Sequence, residues 1–181
     1  MEQFFFSEST QYIFAKWKDA ALRSLNVCPN RSDIDFEHLD PEHAANTALL
    51  ACIDEETIII ARCGENIIRD LQQDLSGHNL LAYREKEKQL YEIEYYQRII
   101  KTPAIGIIER QISDINGRKA TLSSLHLPMC DYNDEVTYLL VICSVTIKGK
   151  PIEDPALTII PHSRVIRSDY MPLADITWPD L

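Results

Sequence analysis

A chain of 181 residues with 45% apolar and 25% charged side chains has room for one ordinary domain and short flanks, and its composition is globular rather than disordered or fibrous. At that length a core can form without metal or disulfide staples. The 28 acidic and 18 basic residues leave a net charge of −10, which argues against nucleic acid or an anionic membrane as partner, because phosphates call for surplus Lys and Arg.

Five cysteines, Cys28, Cys52, Cys63, Cys130 and Cys143, form an odd, scattered set without a CxxC pair. That pattern reads as reduced thiols, mostly small buried hydrophobes, and not as a secreted disulfide framework. Glu2 stands where a signal peptide carries a basic residue, and the apolar run Phe4-Phe5-Phe6 is too short for its core. No segment approaches the roughly 18 apolar residues of a membrane span. A soluble, cytoplasmic protein is the expectation.

Residues 8–25 predict an amphipathic helix, with Ile13, Trp17, Ala20 and Ala21 at helical spacing and Phe14 and Leu25 beside them. Cys28-Pro29-Asn30 is a turn, and Asp40-Pro41 an N-cap with proline at the first position of a short helix. Strands follow: 48–53 and 57–63 make a hairpin around Asp54-Glu55-Glu56, closed by Gly64. A short helix over 66–71 and a turn-rich link over 74–80 lead to the longest helix, 84–101. Leu90, Ile93, Gln97 and Ile100 form its expected inner stripe, with Tyr91, Tyr95 and Ile99 adjacent, and Pro103 ends it.

Two runs, 104–113 and 119–127, flank Asn116-Gly117, the strongest short hairpin signal in the chain. A two-residue loop there would pair Ile108 with Leu125 and Arg110 with Ser123. Residues 128–135 read as a loop, and 136–147 as a central strand apolar on both faces. The segment after 147 holds five of the nine prolines and is expected to be an extended tail over the domain or a partner.

This order of elements resembles the PAS domain. The residues that carry the likeness are Trp17, Arg31-Ser32-Asp33-Ile34-Asp35, Gly64 with Asn66-Ile67, Asp74-Leu75-Ser76-Gly77-His78-Asn79-Leu80, residues 96–106, Gly117-Arg118 and Leu127-Pro128-Met129. Together they are similar to one alphaproteobacterial-type branch of stand-alone PAS proteins, over about residues 10–147. Two departures are Phe36, where that pattern has proline, and Arg62, where it has an apolar residue. The resemblance implies an α+β fold: a five-stranded antiparallel sheet with helices on one face, preceded by N-terminal helices. It divides the chain into a helical flank (1–46), a PAS-like unit (47–147) and a proline-rich tail (148–181).

The resemblance also implies a sensor or interaction module whose sheet and helices can enclose a small molecule. Haem of the family's histidine-ligated type is disfavoured, since 84–101 contains no His, and a flavin photo-adduct is disfavoured because no Cys lies between Gly64 and Cys130. The five histidines are dispersed without chelating spacing, so no metal is expected. No phosphate-loop, dinucleotide or hydrolase motif is present.

Strand alternation puts Ile58, Ile60 and Arg62 on one face. Outward, Arg62 is a routine surface charge; inward, it would require an anion, which makes a small carboxylate ligand one candidate and an apolar ligand the other. Tyr91 and Tyr95, one turn apart, are either pocket or core tyrosines, and Arg110 and Ser123 are either inward or outward as a pair. Phe4, Phe5, Phe6, Ile13 and Trp17 are candidates for a homodimer interface, the alternative being that they cover the chain's own sheet. The reading is a non-enzymatic PAS-like sensor. Its flanks are short for a kinase, cyclase or DNA-binding unit, so its output is expected through a separate effector protein. A constitutive scaffold and a small α+β enzyme are the rivals.

Overall fold

The computed structural model describes residues 7–36, 38–71, 73–82, 86–114, 119–147, 157–158 and 164–176. Helix α1 (Glu8–Arg23) begins at Ser7, whose hydroxyl accepts from the Thr10 amide as an N-cap. Its apolar stripe is buried: Ile13 and Trp17 are wholly inaccessible, and the Trp17 indole donates to the Pro128 carbonyl at 2.9 Å. These two residues therefore cover the chain's own domain and are not available to a dimer interface. Phe4, Phe5 and Phe6 lie outside the described residues.

A short 3-10 helix (Arg31–Asp33) and helix α2 (Pro41–Ala44) lead into β1 (Thr47–Cys52) and β2 (Ile58–Cys63). At Gly64 the chain leaves β2 so close to its neighbour that an added Cβ would lie 2.4 Å from the Ala45 carbonyl oxygen. Only glycine fits there. Helices α3 (Glu65–Leu71) and α4 (Lys86–Lys101) follow, then β3 (Ala104–Asp114), β4 (Lys119–Cys130) and β5 (Val136–Ile147). Strand β4 runs further than its sequence suggests, because Pro128 sits in the ladder opposite Leu139 and uses its carbonyl, not a missing amide, to hold Trp17.

The sheet is antiparallel, in the order β2-β1-β5-β4-β3. It does not stop at five strands. Strand β6 (Leu157–Thr158) and strand β7 (Arg164–Pro172) both pair with β3 on the edge away from β4, so the proline-rich segment contributes a sixth position. Prolines confine that strand to an edge, where a lost amide costs least. The opposite edge, β2, is covered by the link after α3, with the Ile60 amide donating to His78 and the Gly77 and Leu80 amides donating back to Ile60 and Ile58.

Three links fasten the segment after α1 to the β4–β5 turn. The Val27 amide donates to the Asp134 carboxylate at 2.9 Å, and the Cys130 amide donates to the Pro29 carbonyl at 2.9 Å. Asp134 takes a φ of 63°, a left-handed value that Asp tolerates. The third link is covalent: Cys28 and Cys130 form a disulfide, with Cα atoms 5.6 Å apart across 102 residues of sequence. This corrects the expectation of reduced thiols at those two positions. Their separation in sequence hid a proximity that only the docking of α1 creates. Cys52, Cys63 and Cys143 are free.

Candidate functional site

Side chains directly opposed in an antiparallel sheet share a face. One such row runs Cys63, Ala48, Val141, His126, Gly106 and Tyr170 across six strands; the next holds Cys143, Ser124, Ile108 and Ser168, and a third holds Val145, Leu122, Arg110 and Val165. This inner face lies beneath α3 and α4 and carries the polar groups of the site. Their number is small and each is deeply buried.

Arg110, 3% exposed in the middle of β3, donates through Nη2 to Glu92 Oε2 at 2.9 Å and to Tyr96 Oη at 3.4 Å. Burial works against its charge, but the Glu92 carboxylate more than offsets this and holds the guanidinium's pKa above its usual value. The imidazole of His126 lies between two tyrosines, with Nε2 3.2 Å from Tyr96 Oη and Nδ1 3.1 Å from Tyr95 Oη. Burial first, and the Arg110 charge second, push its pKa down to about 3, so it is neutral at physiological pH. Arg110 can only donate, so the Tyr96 oxygen accepts from it and directs its own hydrogen to His126 Nε2. The ring hydrogen is then on Nδ1, facing Tyr95. A polar chain thus runs Glu92, Arg110, Tyr96, His126, Tyr95.

Gly106 makes room for the end of that chain. A Cβ there would stand 2.5 Å from Tyr95 Oη and 3.1 Å from two carbons of Ile99. Beside the chain is a cavity of about 70 Å³ whose walls include Leu50, Ile60, Ile67, Leu71, Leu75 and Val141. Tyr96, Arg110, Ser124 and His126 form its polar side on the sheet and α4, His78 and Asn79 add polar groups from the link after α3, and the thiols of Cys63 and Cys143 also line it. Burial raises the Cys63 thiol to about 11 and moves Cys143 in the same direction, so both are protonated and poor nucleophiles at neutral pH. The Arg110 Nε–H has no hydrogen-bond partner among the described residues. Among those residues, too, no three His, Cys, Asp or Glu side chains converge as a metal site.

The predicted site residues divide. Arg110 lines the cavity. Arg62 does not: a bulge between Leu49 and Leu50 pairs Ile60 with Leu50 but Arg62 with Leu49, which breaks the alternation and leaves Arg62 exposed on the outer face. Cys63 takes the inward place that simple alternation assigned to Arg62. Ser123 is also on the outer face, because the hairpin register differs by one from a two-residue loop. Arg110 pairs with Leu122 and Ile108 with Ser124, so Ser124 is the inward serine.

Tyr95 is buried and joins the polar chain without reaching the cavity wall. Tyr91 is 46% exposed and shares a hydrogen bond of 2.5 Å with Ser168 on β7. Helix α4 is rotated from its expected stripe: Leu90 is 62% exposed, whereas Glu92, Tyr95, Tyr96 and Ile99 face inward. A buried glutamate defeats an apolar-periodicity reading, and it is buried because β3 presents Arg110 to it. Sequence reasoning therefore missed Glu92, Tyr96, Ser124 and His126. The one available signal was a Glu and a Tyr four apart, Glu92 and Tyr96, opposite a strand arginine.

A family model of the PAS domain matches residues 5–143. No curated protein matches the chain. The sheet order, the helices laid over its inner face and the match over most of the sequence agree, and the chain belongs to the PAS domain family.

Proposed function

We propose that the chain is a non-enzymatic sensory module that holds a small molecule in the cavity beneath α3 and α4 and signals occupancy to a separate protein through α4 and β7. The carrying observation is the cavity itself, walled mainly by apolar side chains from the sheet, α3 and the link after it, with Tyr96, Arg110, Ser124 and His126 among its few polar groups. A concave, mostly apolar cavity with a few convergent polar groups is the usual form of a small-molecule site.

The relay follows from the two faces of α4. Inward, Glu92 and Tyr96 hold Arg110; outward, Tyr91 bonds Ser168, and the Arg98 guanidinium stacks over the Tyr170 ring at 5.0 Å. A molecule that engages Arg110 changes the balance of contacts on the inner face, and α4 carries the displacement to β7. Chemistry on the ligand is disfavoured because His126 has both nitrogens engaged and the cavity thiols are protonated. With Ile13 and Trp17 used internally, the reading assigns no dimer interface to them.

Native mass spectrometry of the purified full chain, with release of any small molecule on denaturation, tests the reading. Hydrogen exchange before and after release should change in α4 and β7. A protein that carries nothing, gains no thermal stability across a small-molecule library and exchanges identically throughout is instead a constitutive scaffold.

A further inference from the structure

We propose that an open groove on the outer face of the sheet, across β2, β1 and β5, binds a small organic acid, its apolar body on the groove floor and its carboxylate matched by Arg31 and Arg62. This site is on the opposite face from the cavity beneath α3 and α4 and does not depend on the reading of that cavity.

The bulge in β2 shapes the groove. Ile60 pairs with Leu50 and Arg62 with Leu49, so Ala61 is the extra residue, and both Ala61 and Arg62 line the outer side opposite Leu49. Leu49 in turn pairs with Leu140, and Ala51 with Tyr138. The floor is therefore apolar, built from Leu49, Ala51, Ala61 and Leu140, and Phe36 adds a wall. The groove holds about 380 Å³, against about 70 Å³ for the inner cavity. That volume falls within the roughly 300–1,000 Å³ of small-molecule sites.

Charge names the ligand class. The Arg31 guanidinium lies 4.9 Å from the centre of the Tyr138 ring. Stacking of this kind holds the guanidinium plane while its N–H groups, which point outward in that plane, can still donate. Among the described residues, neither Arg31 nor Arg62 has a side-chain hydrogen bond or an ion pair, and the groove's described walls include no Asp or Glu. The carboxylates nearest Arg31 in sequence are engaged elsewhere: Asp33 accepts from the Asn30 amide at 2.8 Å, and Asp35 pairs with His38 Nδ1 at 2.7 Å. In a chain of net charge −10, two arginines thus share one apolar groove without a counter-charge. An inorganic anion would leave the floor in water, and a neutral molecule would leave the arginines unmatched. An organic acid satisfies both.

Two probes with one body separate these contributions: 2-naphthoate, an anion, and 2-naphthalenemethanol, which is neutral. Their fused rings exceed the inner cavity of about 70 Å³, so both report on the groove. Titrated calorimetrically into the full chain at neutral pH, naphthoate should bind about tenfold more tightly than the alcohol, the scale of one charge-assisted hydrogen bond. Both arginines are exposed, and in R31A/R62A this preference should vanish while the alcohol binds as before. If that variant does not fold, salt at about 1 M should remove most of the preference on the unaltered chain. Equal affinities on the unaltered chain, a preference that survives the double substitution or, failing that variant, the salt, or failure of both probes to bind up to their solubility overturns the inference. So does a chain that sediments as a dimer and becomes a monomer in R31A/R62A, which would make the groove an interface between copies.

Discussion

Arg110 and Glu92 form an ion pair of 2.9 Å with side chains 4% and 3% exposed, joining the middle of β3 to the inner face of α4. Neither residue has an apolar reason to be buried, so each is inside because the other is. Removing one partner strands a charge in the core. Glu92→Gln should lower stability by about 3–5 kcal/mol, and the pair substitution E92M/R110M should recover most of that loss. Chemical denaturation of the three proteins checks it; equal losses for the single and double variants would contradict the pairing argument.

Gly106 and Tyr95 present a steric relationship of the same kind. Gly106→Ala would place a methyl 2.5 Å from Tyr95 Oη, in a region where Ile99 already crowds the position. A destabilisation of about 1–3 kcal/mol is expected. Tyr95→Phe removes the clashing oxygen, so the same alanine introduced together with that substitution should cost measurably less. Strict additivity in a double-mutant cycle would show that the oxygen is not what excludes a side chain there.

The pH dependence of stability should carry the signature of His126. Its folded pKa is about 3, below the roughly 6.5 of an unfolded histidine. The unfolded chain therefore takes up a proton near pH 6.5 that the folded protein refuses, so this stability is complete above that pH and is lost as pH falls toward 3. Between pH 7 and 5 the loss should be about 2 kcal/mol. His126→Gln will have its own stability, but its pH slope over that interval should be shallower by this amount. Identical slopes would show that His126 is not held neutral.

The Cys28–Cys130 disulfide bridges 102 residues of sequence and secures the segment after α1 to the end of β4. Reduction, or Cys28→Ser with Cys130→Ser, should lower stability by about 2–4 kcal/mol. Hydrogen exchange should then rise first in α1 and the segment after it, while β5 at the sheet centre stays protected. Uniform acceleration would mean that the bridge supports the whole domain and not the helix in particular.

Tyr91 and Ser168 share the hydrogen bond that ties α4 to β7. Because Tyr91 is 46% exposed, Tyr91→Phe should change global stability by under about 1 kcal/mol while exchange in β7 increases. Arg62→Ala, on the exposed outer face, should leave both stability and cavity binding unchanged within about 0.5 kcal/mol. Weakened binding in that variant would restore Arg62 as an anchor.

Local pattern determined the elements. Helical spacing around Trp17, the capped Asp40-Pro41 start, the β-branched run ending at Gly64 and the two-faced apolar strand after residue 136 each place an element where the fold has one, and their order marks the family. These are short-range properties, set by propensity and by periods of 3.6 and 2. The site depends on what those periods do not encode. A single bulge at β1 and β2 exchanges Arg62 for Cys63 on the inner face, and a one-residue difference in the β3–β4 register exchanges Ser123 for Ser124. Because alternation has a period of two, one residue of slip reverses every side chain beyond it. Glu92, Tyr96 and His126 become a site only when α4 settles on β3 and β4, and Cys28 meets Cys130 only when α1 docks. Buried charge and covalent closure are decided by partners distant in sequence, and the tertiary structure alone brings those partners together.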